Sequence, residues 1–189
     1  MKYALIILSF ITGLTTKAQD CDYAQKFTDS LGTYRATADY VMTEKNFAGK
    51  SAYVFFSLVN SSGTPILKLQ NIQKSGDFIK ANCFDANSRI YLQLENGKIV
   101  TLLHTKEETC GTMMRVEEEN KYTRFLSGNF LFIQGGMDDL KTSPVSLLRV
   151  KYSTEVVDYI IKKELTSELT GKSYQPARYF LEYLKCIED

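Results

Sequence analysis

Apolar and polar residues alternate along much of this chain, the period-two signature of half-buried β-strands. The alternation is sharpest in SRIYLQLENGKIVTLLH, residues 88–104. Arg89-Ile90-Tyr91-Leu92-Gln93-Leu94-Glu95 runs into Asn96-Gly97, the dipeptide best suited to φ > 0 at both positions of a type I′ turn. The stretch predicts a β-hairpin with a two-residue loop pairing Glu95 with Lys98. In that register Ile90 faces Leu103, Leu92 faces Thr101 and Leu94 faces Ile99 on one side. Tyr91 with Leu102 and Gln93 with Val100 lie on the other.

The same pattern organises the rest. Residues 19–34 are polar and mixed, with a helical turn or two expected over 23–31. Strands are expected over 36–47 and 52–59, then from Pro65 through Ile66, Leu67, Leu69 and Ile72, and over 78–84. Polar turns at 47–50, 60–64 and 74–77 separate them, which implies an antiparallel meander. Beyond the hairpin come a short strand at 112–116 and an aromatic one at 122–133, with Gly128 at a bulge or bend. Residues 137–141 suit one helical turn, stopped by Ser143-Pro144. Residues 145–152 form a strand whose Leu148, Val150 and Tyr152 oppose Arg149 and Lys151. Over 154–170, Val157, Ile161, Leu165 and Leu169 have helical spacing, while the β-branched run 156–161 suits a strand. The expectation is a strand to about Ile161, then irregular or helical chain. Pro176 sits at a first helical position, and Ala177, Phe180, Leu181, Leu184 and Ile187 make one apolar stripe. The fold expected is α+β and mainly β: an antiparallel meander, curled or sandwich-like, with a C-terminal helix packed on it, as one domain over 19–189.

Composition adds an address. Lys2, the apolar run 3–14 and small residues at Thr16 and Ala18 have the order of a secretory signal peptide, cut after Ala18. A lipoprotein cut would leave a cysteine first, but Asp20 stands before Cys21 where a small residue is needed. The mature chain is therefore expected to begin at Gln19, exported to the periplasm or medium without a lipid. Losing Lys2 and Lys17, and no acid, takes the formal charge from +1 to −1. A near-neutral chain has no electrostatic footprint for nucleic acid or an anionic membrane. No other apolar run approaches the ~18–20 residues of a transmembrane helix.

Four cysteines in an exported chain suggest two disulfides, with three possible connectivities. The hairpin register brings Arg89 beside His104. The turn at 85–87 then returns Cys83 alongside Arg89, and Cys110 is six residues beyond His104. This argues for Cys83–Cys110 and, by elimination, Cys21–Cys186.

Candidate chemistry is sparse. The chain has no CxxC pair, no GxSxG elbow and no glycine-rich phosphate loop, and His104 is its only histidine. His104 is the natural general base, but Arg89 across the hairpin would disfavour its protonated form, and a structural or surface role is expected. Glu117-Glu118-Glu119 lack the alternating ligands and bend glycine of a calcium loop and are expected to be a solvated turn. Asn60-Ser61-Ser62 fits an N-glycosylation sequon, but an ordinary turn is the better reading. Tyr53, Phe55, Phe56, Phe130 and Phe132 could line a ligand cavity, though their spacing suits a core. No catalytic, cofactor-binding or metal-ligating residue is assigned. The expected function is a non-catalytic exported module that binds a protein or small molecule in the cell envelope. The alternatives are a carrier of an apolar ligand and an extracytoplasmic hydrolase using paired carboxylates, which folding can bring together without a sequence signature.

Two stretches carry a resemblance. LQLENGKIVTLLHT, flanked by cysteines, and DLKTSPVSLLRVKYST, followed by a helix ending YLKCIE, resemble small uncharacterised exported proteins of Bacteroidota-type bacteria. The KAQ after the apolar run is similar to signal peptides of that group. The resemblance covers most of residues 66–189 and implies a β-rich fold, with no activity and no functional residue to carry over.

Overall fold

The computed structural model describes residues 21–30, 32–105 and 108–188, so the expected signal peptide and its expected cleavage site lie outside the described residues. The strands are β1 (Tyr23–Asp29), β2 (Gly32–Thr37), β3 (Tyr40–Phe47), β4 (Lys50–Ser61), β5 (Thr64–Ser75), β6 (Cys83–Phe84), β7 (Arg89–Leu94) and β8 (Ile99–His104). Then come β9 (Thr109–Cys110), β10 (Thr112–Val116), β11 (Lys121–Phe132), the helical turn α1 (Gly136–Leu140), β12 (Val145–Lys151), β13 (Val156–Ile160), β14 (Leu165–Thr166) and β15 (Ser173–Tyr174). The chain ends in a short helix: a 3-10 turn at Pro176–Arg178, α2 (Tyr179–Tyr183) and a second 3-10 turn at Leu184–Cys186.

Among the described residues, eleven strands form one antiparallel sheet in the order β1-β2-β4-β5-β11-β8-β7-β12-β13, with β3 also on β4 and β10 also on β11. The order follows the chain to β5 and then departs from it, because β11 inserts between β5 and the central hairpin. The strand expected over 36–47 is broken at Ala38-Asp39. Its two halves, β2 and β3, lie end to end on one edge of β4, and the Thr37 hydroxyl accepts the Leu58 N–H at 2.9 Å in the gap.

The sheet curls tightly. Three strands, β11, β8 and β7, separate β5 from β12 in the sheet, yet Asn71 of β5 donates to the hydroxyl of Tyr152, just past β12, at 2.9 Å. It also reaches the hydroxyl of Tyr159 on β13 at 3.3 Å. The inner face thus closes on itself around Phe56, Leu67, Leu69, Phe84, Leu92, Phe130 and Tyr152, all fully buried. The C-terminal helix caps this core: Phe180 lies 6.0 Å from Phe56 and 6.5 Å from Phe132, ring to ring. Of the expected stripe, Ala177, Phe180, Leu184 and Ile187 are buried and Leu181 is half-buried. A second, smaller apolar cluster lies on the outer face, where Leu165 of β14 and Tyr174 of β15 cover Val41, Tyr53 and Phe55.

The central hairpin differs from its expected register by one residue. Ile90 pairs with Leu102, Leu92 with Val100 and Gln93 with Ile99. The loop has three residues, not two: Leu94 N–H donates to Lys98 O, Gly97 N–H to Leu94 O, and Gly97 alone takes positive φ (85°). This is a type I turn closed by a left-handed glycine, the other common hairpin loop. One residue of slip exchanges the two faces of β8. Val100, Leu102 and His104 join Ile90, Leu92 and Leu94 inside, while Ile99, Thr101 and Leu103 turn outward. Opposite His104 stands Ser88, not Arg89.

Three further expectations are corrected. Residues 23–30 are not helical: β1 pairs along β2, whose free edge satisfies its backbone, and Phe27 stacks on Tyr34 at 5.2 Å. Residues 78–84 give only the two-residue β6, because β11 already occupies the edge of β5. Gly128 sits at no bulge; it pairs regularly with Leu69, and a Cβ there would come within 2.6 Å of the Phe84 ring. Over 154–170 the strand expectation holds as β13, and of the irregular or helical chain expected after it the irregular reading holds, apart from the two-residue β14 that pairs with β15.

Candidate functional site

The curl leaves an open groove at one end of the sheet. On β3, β4 and β5 the inner-facing row continues past the core from Val54 and Asn71 to Ala52, Gln73 and Lys45, which are cross-strand neighbours. Phe47 and Lys50 pair at the tip of the β3–β4 hairpin. The segment after β5 brings Phe78, Ile79, Lys80 and Asn82 to the same space, and the β12–β13 turn brings Glu155. Together they line a cleft of about 470 Å³, within the usual size of small-molecule sites.

This mouth has two exposed rings, Phe47 at 76% and Phe78 at 72%. Phe78 is held from behind. The guanidinium of Arg124 lies 5.8 Å from its ring centroid. Arg124 is itself buried, donating from Nε to Ile79 O at 2.9 Å and from Nη1 to Gly111 O at 2.5 Å. The Gly111 N–H donates to Asn82 O, and Cys83–Cys110 closes the next pair. One wall of the mouth is thus anchored by a buried cation and a disulfide.

The charges at the mouth are unevenly matched. Lys50 pairs with Asp77 at 3.1 Å and Lys74 with Glu119 at 3.4 Å. Glu155 accepts from Asn82 Nδ2 at 2.6 Å. Lys45 and Lys80 have no ion-pair partner among the described residues.

The residues singled out from the sequence lie elsewhere. His104 is buried among Phe84 and Phe130, ring centroids 5.3 and 5.1 Å away, and its Nδ1 donates to Asp85 O at 3.1 Å. Burial holds its pKa below the ordinary value, with a smaller push from the Arg89 charge; the Asp85 contact works in the opposite direction. Glu117 pairs with Arg115 and Glu119 with Lys74, so two of the three adjacent glutamates serve exposed ion pairs. Asn60 is buried, donating to Ile187 O at 2.6 Å and accepting the Gly63 N–H at 2.8 Å, so it builds its turn. Tyr53, Phe55, Phe56 and Phe130 are core residues, and Phe132 packs on the core from its edge.

The disulfides are Cys83–Cys110 and Cys21–Cys186. This is the expected pairing, reached by a different route: Cys83 and Cys110 face each other directly across β6 and β9, away from the main sheet. Among the described residues the one cluster with metal-ligand spacing is Cys83, Glu108 and Cys110. Its two sulfurs are bonded to each other and offer no thiolate.

Two carboxylates do converge. Asn46 Nδ2 donates to Glu44 Oε1 at 2.9 Å and to Glu168 Oε2 at 2.8 Å. The Glu168 N–H also donates to Glu44 Oε1 at 3.0 Å. These bonds clasp the β14–β15 hairpin to β3 on the outer face, where the neighbouring cleft is shallow and includes Lys121 and Tyr53.

Sequence reasoning did not find the mouth. A local signal existed, since Phe47 in KNFAGK and Phe78 in GDFIK are aromatics set at turns among lysines. Nothing local shows that the two turns meet. Comparison with family models, with curated proteins and with solved structures finds no match to this chain.

Proposed function

We propose that this protein is an exported, non-catalytic binding module whose ligand surface is the mouth of the curled sheet. One observation carries the reading: two large rings, Phe47 and Phe78, stand mostly in solvent in the same groove, and the wall that carries Phe78 is anchored by Arg124. Paired exposed rings in a concavity are what a ligand covers. Export is supported by the order of residues 1–18 and by two disulfides, which persist in oxidising compartments. Cys21 spends its sulfur on Cys186, and a lipid thioether would need that same atom.

Two measurements test this. Mass analysis of the exported protein is expected to find Gln19 first, and a lipid-modified Cys21 would overturn the localisation. An NMR titration of the mature chain with small aromatic and aliphatic compounds is expected to shift amides at 45–52 and 73–82. Shifts gathered elsewhere, or no binding by any compound, would overturn the site.

The hydrolase reading keeps one observation, the Glu44 and Glu168 carboxylates on Asn46. It predicts turnover of glycosides by the mature chain that Glu168→Gln abolishes. A carrier of an apolar ligand needs room inside the sheet, and the described interior is occupied by Phe56, Phe84, Phe130, Tyr152 and Phe180.

A further inference from the structure

We infer that the ligand of the mouth is an anion with an apolar body, bound by Lys45 and Lys80 at its charge and by Phe47 and Phe78 along its body; this rests on the mouth being the binding surface. The charge census points one way. Four lysines line the groove against one carboxylate. Two of the lysines are matched by Asp77 and Glu119, which lie outside the lining. Glu155, the lining carboxylate, is committed to Asn82. Lys45 and Lys80 therefore both line the groove, one on β3 and one on the segment after β5, with no acid of their own among the described residues.

Two like charges lining one cleft repel, and an anion bound by both relieves that repulsion while gaining charge-assisted bonds. In bulk water each such pair is weak, but covering the groove with an apolar body removes solvent and strengthens both. The rings supply that complement. Gln73, Ser51 and Asn82 add neutral polar groups along the floor, enough to orient a head group. The volume of about 470 Å³ suits a small molecule rather than a polymer end.

The test uses calorimetry on the mature chain with 2-naphthoate, 2-naphthalenemethanol and 2-naphthylmethylamine hydrochloride, which share a body and differ in charge. The naphthoate is expected to bind roughly tenfold or more tighter than the alcohol, the amine weakest, with the naphthoate advantage shrinking in added salt. Lys45→Gln with Lys80→Gln is expected to bring naphthoate down to the alcohol, and Phe47→Ala with Phe78→Ala to weaken all three. Equal binding of naphthoate and alcohol, or an anion preference that survives the lysine changes, overturns this inference and leaves the mouth as a binding surface. No binding by any of the three, with none by the compounds of the NMR titration, overturns the binding surface itself.

Discussion

His104 sits between two phenylalanine rings, and that position decides its protonation. Its pKa is lowered in the folded chain, so the unfolded chain binds a proton more readily, and the sign follows. Above the unfolded value, near 6.5, both states are neutral and His104 costs nothing. As pH falls below that, the unfolded state takes up the proton first and stability declines until the folded pKa is passed. Urea midpoints are therefore expected to fall between about pH 7 and pH 5, above the main carboxylate range, and His104→Gln is expected to flatten that slope. An unchanged slope in the variant would mean that His104 is not the group responsible. The same substitution is expected to leave ligand binding at the mouth unaltered. The alternation 99–104 identified this strand, but a one-residue choice of register separated an exposed His104 near Arg89 from a buried one bonded to Asp85.

At the scale of elements, the loop that closes this register turns on one residue. Gly97 has φ 85°, and a Cβ added there meets nothing within 4 Å, so only the backbone opposes a side chain. Gly97→Ala is expected to cost about 1–2 kcal/mol in chemical unfolding, the penalty of placing an L-residue in the left-handed region. Gly97→Asn is expected to cost less, because Asn tolerates that region. Equal stability of Gly97→Ala and the parent would refute the three-residue loop. Asn-Gly permits both the two-residue and the three-residue connection, and local preference does not choose between them. The choice was made by the core, which takes Val100, Leu102 and His104 on the side of Ile90, Leu92 and Leu94. The β1–β2 hairpin makes the same point: YAQKFTD has no strong strand signal, and its strand state comes from the edge of β2 and from the Tyr23 hydroxyl donating to Cys186 O at 2.9 Å.

For the molecule as a whole, the two disulfides have unequal reach. Cys21–Cys186 spans 165 residues and Cys83–Cys110 spans 27. Loop closure predicts that the longer bridge restricts the unfolded chain more. Cys21→Ser with Cys186→Ser is expected to lower stability by about 2–5 kcal/mol, more than Cys83→Ser with Cys110→Ser does. The shorter bridge is expected to matter instead at the mouth, since it anchors the wall that carries Phe78. Reversed stability losses in urea unfolding would contradict this division. The sequence by itself determined the mainly β architecture, most strand positions, the C-terminal helix and where most turns fall, though not the type of the central one, because alternation, glycine and proline act over a few residues. Only the tertiary structure decided which strands are neighbours, how far the sheet curls, and that turns at 47–50 and 76–82 share one groove. Those depend on contacts between residues far apart in the chain, such as Asn71 with Tyr152 and Arg124 with Ile79, whose side chains carry no local mark of their partners.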